Sequence, residues 1–372
     1  MLPVQQRVVM LVDLDYFFAQ CEELRNPTLK DKPVVIGMYS GRTEDSGAVS
    51  TSNYVARKYG VKSGMPLFLA KKRLEGVDSV FLPVDHDFYQ QLSDKIMNIL
   101  RGYADAFEQV GIDEAYLDVT QKLHGNFEEA IALIHEMKND VKKQVGITFS
   151  VGVGPNKLVA KIASNQNKPD GITVIRPEQV NDFLAPLPVD KLLGVGRKTA
   201  LKMEELGIKT IGDLATYDAQ RLIEIFGRAL GVYFHSAANG IDNEAVVEAG
   251  EAESISRIAT LKEDTRDFEV IIQKINQLTE EIYKELDQKK LTYKQITIIA
   301  VRIDLTTRSR SLTLEKSTKG IEALRRHTRE LLEKYLNESD LPVRRIGVKV
   351  AQLRKEEKKQ QQLTSFLQTN KV

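Results

Sequence analysis

The sequence predicts an α+β protein of several domains, on three observations. Carboxylates stand on two separate apolar strands. The stretch Val-Val-Met-Leu-Val-Asp-Leu-Asp-Tyr-Phe-Phe (8–18) delivers Asp13 and Asp15, two apart on a buried strand. In Val-Gly-Ile-Asp-Glu-Ala-Tyr-Leu-Asp-Val (110–119), a bare Asp113-Glu114 pair stands at a hairpin tip, after which Ala115, Leu117 and Val119 alternate with Tyr116 and Asp118. Strand and helix patterns interleave to residue 175, turn helical to 240, and resume from 254 as β-α-β-β-α-β. Finally, 372 residues exceed one ordinary core and suit roughly two to four domains.

In order, 7–15 reads as a strand, 17–24 as a helix stopping before Asn26-Pro27, and 33–38 and 48–52 as strands. Helices follow at 53–59, ended by Gly60, at 65–73 with Pro66 in the first turn, and at 85–101 with Asp85 as N-cap. After the carboxylate hairpin come a helix at 127–145, a strand at 148–153, a helix at 156–165 and a strand at 172–175. Leu-Leu-Gly-Val-Gly-Arg-Lys (192–198) predicts a helix-hairpin-helix. Gly194 and Gly196 let a DNA phosphate approach backbone amides, with Arg197 and Lys198 following. Residues 240–253 hold five acids, no base and no aromatic residue, and read as a linker that leaves the last domain adjustable. The end domain predicts strands at 254–261, 295–304, 308–314 and 343–350, with helices at 268–286 and 318–336. Arg302, Arg308 and Arg310, with Lys316, decorate its strands as a row able to track phosphates.

Composition narrows the function. Net charge is +1, but residues 254–354 carry 21 basic and 15 acidic side chains while 1–239 carry 28 and 30, so a polyanion would be gripped at one end. No apolar run approaches the ~20 residues of a membrane span, and the start is no signal peptide. Cys21 is the only cysteine, which excludes an intrachain disulfide and fits the cytoplasm. The five histidines are scattered, which speaks against zinc. Carboxylates converging from two strands make a hard-oxygen site suited to Mg²⁺.

Taken together, Val-Asp-Leu-Asp-Tyr-Phe-Phe (12–18), Thr-Ser-Asn-Tyr-Val-Ala-Arg-Lys-Tyr-Gly (51–60), Ile-Asp-Glu-Ala-Tyr-Leu-Asp (112–118), Asn-Lys-Leu-Val-Ala-Lys-Ile-Ala-Ser (156–164) and Lys-Pro-Asp-Gly (168–171) resemble the Y-family of lesion-bypass DNA polymerases, in its DinB-like, DNA polymerase IV-type archaeal branch. The resemblance spans nearly the whole chain. It implies a right-hand polymerase: palm at 1–16 and 83–175, fingers at 17–82, a helix-hairpin-helix thumb at 176–240, a linker at 241–253, a little finger at 254–354 and a tail at 355–372. It implies a monomer that adds dNTPs to primer-template DNA with low fidelity and no proofreading. Asp13, Asp113 and Glu114, with the carbonyl of Leu14, would hold two Mg²⁺ ions, which Mn²⁺ can replace. One ion activates the primer 3′-hydroxyl and the other neutralises the triphosphate. Asp15 is not expected to be a ligand, although its spacing permits it.

By the same resemblance Tyr54, Arg57 and Lys168 grip the β- and γ-phosphates, supported by Tyr16, Phe17 and Thr51. Phe18 is the steric gate under the sugar. Ala48 and Gly64 leave room around the nascent base pair. The tail Gln-x-x-Leu-x-x-Phe-Leu is similar to a peptide that docks on a PCNA-type sliding clamp through Gln360, Leu363, Phe366 and Leu367. Two other readings compete, a nucleotidyl cyclase built on a similar sheet and a non-catalytic DNA-binding scaffold.

Overall fold

The computed structural model describes residues 6–248, 250 and 252–356; the clamp-like peptide (Gln360, Leu363, Phe366, Leu367) lies outside them. The chain forms two compact units. The first runs to Met38 and resumes at Ala48; the second takes Tyr39–Gly47 and the chain from Gly250.

The elements of the first unit, in order, are β1 (Val9–Leu14), α1 (Phe17–Arg25), β2 (Val34–Tyr39), β3 (Gly47–Ser52), α2 (Tyr54–Lys58), α3 (Leu67–Arg73), β4 (Val80–Pro83), α4 (His86–Arg101), β5 (Ala106–Gln109), β6 (Glu114–Asp118), α5 (Ala130–Gln144), β7 (Phe149–Gly154), α6 (Lys157–Ser164) and β8 (Ile172–Val174). Helices α7 (Val180–Leu184), α8 (Arg197–Glu205), α9 (Ile211–Thr216), α10 (Ala219–Phe226) and α11 (Arg228–Ala238) follow.

The unbroken apolar run of β1 is explained by its place. It is the middle strand of a five-stranded sheet, β5-β6-β1-β7-β8, antiparallel except for β7 and β8. Met10, Val12 and Leu14 face the main core with Tyr89, Ile96 and Leu100 of α4 and Ile134, Met137 and Val141 of α5. Val9 and Leu11 face the other side, toward Ala160 of α6. A buried strand covered on both faces must be apolar throughout. Gly152, opposite Leu11, lets α6 lie directly on the sheet; a Cβ there would overlap the Ala160 carbonyl and the Ser164 amide.

The second sheet, β3-β2-β4, holds its own small core with α2 and α3. Asn53 ties it together, capping α2 through Ala56 N, accepting from Val34 N, and donating to Glu23 and to the Lys32 carbonyl. Asp85 caps α4 at Phe88 N, as the sequence predicts. Strands β4 and β5 were not predicted. They are four residues each, and partial burial leaves them little alternation to read.

Residues 240–248, expected as linker, are bound to the first unit. Asp242 accepts from Leu158 N at the start of α6, and the Gly240 carbonyl accepts from Asn156. Lys157 joins Glu108 to Glu244, Arg101 pairs with Glu248, and Val246 is buried beside Val9, Leu11 and Tyr116.

The second unit comprises β9 (Ser254–Thr265), α12 (Phe268–Gln288), β10 (Leu291–Arg302), β11 (Thr307–Thr318), α13 (Ile321–Glu338), β12 (Val343–Ala351) and β13 (Arg354–Lys355). Its order is the expected β-α-β-β-α-β, in a sheet β11-β10-β12-β9 with both helices on one face. Within this unit Arg42 donates to the Leu261 carbonyl at 2.8 Å and pairs with Asp264, whose carboxyl it holds below the usual range. Among the described residues, no helix is long and apolar enough to cross a membrane.

The register fixes which face the expected row of basic residues takes. Arg308 stands opposite Ala300, Arg310 opposite Ile298 and Leu312 opposite Ile296, so all three share the helix-covered face. Arg310 is paired with Glu338 of α13, and Arg302 donates to Thr306 in its own hairpin at 2.7 Å. Arg345 and Lys349, opposite Val301 and Thr297, lie on the open face.

Candidate active site

The antiparallel register of β1 and β6 brings the acidic groups together. Asp13 stands opposite Glu114, and the Asp113 carbonyl accepts from Leu14 N at 2.8 Å. Asp13 shares the face of Val9 and Leu11, so it and Glu114 project on the α6 side. There Lys161 of α6 pairs with Glu114 and lies 3.7 Å from Asp13 Oδ2, while Lys168 reaches Asp13 Oδ1 at 2.6 Å. Burial, reinforced by Asp13 and then Glu114, raises the pKa of Asp113. A cation at this place would relieve that cost.

Among the described residues, no three His, Cys, Asp or Glu side chains are gathered closely enough to hold a metal ion as they stand. The donor chemistry nevertheless fits a hard divalent cation: three carboxylates and the Leu14 carbonyl at one end of one sheet. Asp13 and Glu114 are turned onto ammonium groups.

Asp15 has partners of its own. It is 1% exposed and accepts from Ser150 Oγ at 2.7 Å, Asp170 N at 2.8 Å and Thr148 Oγ1 at 3.3 Å. Burial raises its pKa although these bonds oppose the rise. Its work is to pin the Lys168–Gly171 loop against β7. Gly171 is required there, since a Cβ would overlap the Asn167 carbonyl.

A cleft of about 480 Å³ opens beside the carboxylates. Its lining holds Asp13, Leu14, Asp113, Tyr16, Phe17, Phe18, Thr51, Tyr54, Arg57 and Lys168, together with Ser50, Ser63 and Ile112, which the sequence did not flag. Tyr16, in the left-handed region at φ 36°, turns the chain from β1 into α1. Its hydroxyl donates to Glu23 at 3.1 Å, and its ring meets that of Tyr54 edge-on at 5.3 Å. Burial, then Glu23, pushes the Tyr16 phenol pKa up, and burial does the same to Tyr54. Both hydroxyls remain neutral hydrogen-bonding groups. Arg57 is aimed by a bond from Nε to the Ser52 carbonyl and by stacking on Tyr54, with its guanidinium carbon 4.7 Å from the ring centre. Phe17 is 3% exposed and belongs to the core, whereas Phe18 is half-buried and stacked on Tyr89 at 4.5 Å. Ala48 bridges to Pro66, and Gly64 has φ +79°, a conformation that side chains rarely adopt.

Three contributors were missed. Lys161 lay inside the quoted 156–164 motif, four residues after Lys157, but only the packing of α6 shows what it touches. Glu23, an acid on the buried face of α1, positions Tyr16, and Asn53, inside the 51–60 motif, positions α2.

A model described as the impB/mucB/samB family matches residues 12–165, its C-terminal domain matches 252–365, and a model described as DNA polymerase-iota, thumb domain, matches 190–242. A protein named DNA polymerase IV from Nitrosopumilus maritimus is 42% identical over 98% of this chain and 100% of its own length. One from Methanosarcina acetivorans is 44% identical over 95% and 97%. Among solved structures, a Y-family DNA polymerase chimera, Dbh-Dpo4(243-245)-Dbh, is similar at a TM-score of 0.88, with 38% identity, covering 94% of this chain and 100% of that one. An insertion ternary complex of Dbh DNA polymerase is similar at 0.68, with 38% identity and the same coverage.

This chain belongs to the Y-family of DNA polymerases. It has the Y-family fold with a thumb domain, as the sequence predicted. In that thumb, Gly194 has φ +80° and packs under Tyr233, whose hydroxyl donates to the Leu193 carbonyl at 2.9 Å. Gly196 caps α8, and Gly194, Gly196, Arg197 and Lys198 are all exposed at the turn.

Proposed function

We infer that this chain is a template-directed, low-fidelity DNA polymerase that extends primers across damaged template without proofreading. The observation that carries the reading is one cleft lined both by the expected phosphate-gripping residues Tyr54, Arg57 and Lys168 and by Asp13 and Asp113. Its substrates are primer-template DNA and dNTPs, and it works as a cytoplasmic monomer. The five-stranded sheet serves as palm (1–16 and 83–175), the three-stranded unit as fingers (17–82), 176–240 as thumb and 254–354 as little finger.

Asp13, Asp113, Glu114 and the Leu14 carbonyl would hold two Mg²⁺ ions, with Mn²⁺ as substitute; when bound, these ions supply charge neutralisation and activation of the 3′-hydroxyl. The protein's own side chains do the placing. Arg57 offers a planar fork and Lys168 a point charge to the triphosphate. Tyr16 and Thr51 add neutral bonds, and Phe18 fills the floor where a ribose 2′-hydroxyl would sit. The small residues Ala48 and Gly64 leave shape discrimination weak. The exposed amides and cations of the 194–198 turn suit a DNA phosphate, and the open face carrying Arg345 and Lys349 suits the backbone of the duplex. The tail peptide remains a candidate for clamp docking. Phe366→Ala with Leu367→Ala should abolish stimulation by a loaded clamp and spare clamp-free synthesis; equal stimulation of both proteins would discard it.

The deciding assay is primer extension with Mg²⁺ and single dNTPs, run beside a search for cyclic nucleotide. Asp113→Ala or Glu114→Ala should slow nucleotide addition by roughly 10²-fold or more and leave primer-template binding intact. Cyclic product without extension would overturn the reading.

A further inference from the structure

Lys161 has no part in the phosphate grip and does not line the nucleotide cleft, yet it is the cation most closely engaged with the carboxylates. It projects from α6, which Gly152 allows to lie directly on the sheet, on the face that Asp13 and Glu114 share. Its ammonium bonds Glu114 Oε2 and lies 3.7 Å from Asp13 Oδ2, while Lys168 holds Asp13 Oδ1 at 2.6 Å. Both oxygens of Asp13 and one of Glu114 therefore face ammonium groups. An ammonium resting on a carboxylate oxygen occupies one of its lone pairs and opposes, by its charge, a Mg²⁺ at the ~2.1 Å of a ligand bond. Lysine and divalent cation compete for the same atoms.

We propose that Lys161 is a positioning residue that acts as an internal counter-cation, whose displacement from Glu114 and Asp13 is the condition for loading a divalent ion. The inference rests on the reading of these carboxylates as the metal site. The two lysines have different destinations. Lys168 lines the cleft and passes from Asp13 to the triphosphate, so that one displacement assists nucleotide binding. Lys161 lies on α6, outside the cleft lining, and no phosphate of the nucleotide awaits it there. Its release is a net opposing term that sets how much divalent ion the enzyme needs. Two ammonium groups against three carboxylates leave one negative charge uncompensated, enough to keep attracting a cation without collapsing the site.

The test is Mn²⁺ binding to the full chain without DNA or nucleotide, read as loss of the free-ion electron paramagnetic resonance signal. Lys161→Met should bind Mn²⁺ about tenfold more tightly than wild type, because an opposing charge in contact with the ligands has gone. Lys161→Arg should restore binding close to wild type. Adding Glu114→Gln to Lys161→Met should remove the gain. In parallel, a fixed Mn²⁺ concentration should raise the thermal midpoint of Lys161→Met more than that of wild type. Lys161→Gln provides a second variant if the methionine protein folds poorly by circular dichroism. Folded Lys161→Met and Lys161→Gln proteins that bind Mn²⁺ no better than wild type would overturn the proposal while leaving the metal site intact. Mn²⁺ binding unaffected by Asp113→Asn with Glu114→Gln would instead overturn the metal-site reading beneath it.

Discussion

Replacing Asp15 by alanine tests whether the buried acid beside the catalytic strand is a scaffold rather than a ligand. The carboxylate accepts from Ser150 Oγ, Asp170 N and Thr148 Oγ1. The Thr148 hydroxyl has a second acceptor in Gln20 Oε1 at 3.2 Å, so two donors are orphaned in the variant. A buried donor left without a partner costs about 1–3 kcal/mol. Relief from desolvating a carboxylate, visible in the raised pKa of Asp15, offsets part of this. The expected loss is about 2–4 kcal/mol, measured by urea unfolding with an unchanged m-value. Because Asp170 N is one of the orphans, the loop carrying Lys168 should shift. KM for dNTP should rise about tenfold, with primer-template affinity unchanged. A loss below about 0.5 kcal/mol, or an unaltered KM in a destabilised protein, would refute the chain from Asp15 through Asp170 to Lys168.

Phe18→Ala should admit ribonucleotides, measured as the ratio of kcat/KM for rNTP and dNTP; an unchanged ratio would assign the gate elsewhere. The raised pKa of Asp113 means that its neutral form is favoured by folding. Its contribution to stability is therefore present at low pH and is lost as pH rises through the folded pKa, in a window above the ordinary carboxylate value of about 4. With chelator present, Asp113→Asn should flatten the pH dependence of the thermal midpoint in that window, and a slope identical to wild type would contradict the assignment. Arg345→Ala with Lys349→Ala should reduce the log–log salt dependence of DNA binding by up to about 0.9 per contact, whereas Arg310→Ala should leave it unchanged. The opposite ranking would put the helix-covered edge against DNA.

Much of this was legible in the chain because it depends on periodicity and on a few costly residues. The apolar run that opens the 8–18 stretch reads as a fully buried strand, and the structure covers it on both faces; Asp113-Glu114 demanded a neutralising partner. Which face the basic row takes is a matter of parity. Arg308 and Arg310 precede Leu312 and Leu314 in strict alternation, and those leucines pack on the helix side, which places the arginines at the edge of the covered face. The information was present, but it required the leucines to be weighed before the charges. On composition 240–253 reads as linker, whereas Val246 and Asp242 are fixed by a sheet face and a helix start far away in sequence. No local pattern reports the Lys157 bridge between Glu108 and Glu244, because its three members come from three separate segments.

Gly152 has a consequence for how this enzyme could be altered. The gap between α6 and the sheet is set by the missing side chain of a residue that touches neither substrate nor metal. A single added methyl would force the helix outward and carry Lys161 with it. The charge balance among the catalytic carboxylates can thus be tuned from between the helix and the sheet, by a change in spacing rather than in chemistry. A selection for altered metal preference could find such positions on β7 without exchanging any group that meets DNA or nucleotide, and the steric grading Gly, Ala, Ser at residue 152 offers a mechanical dial on an electrostatic property.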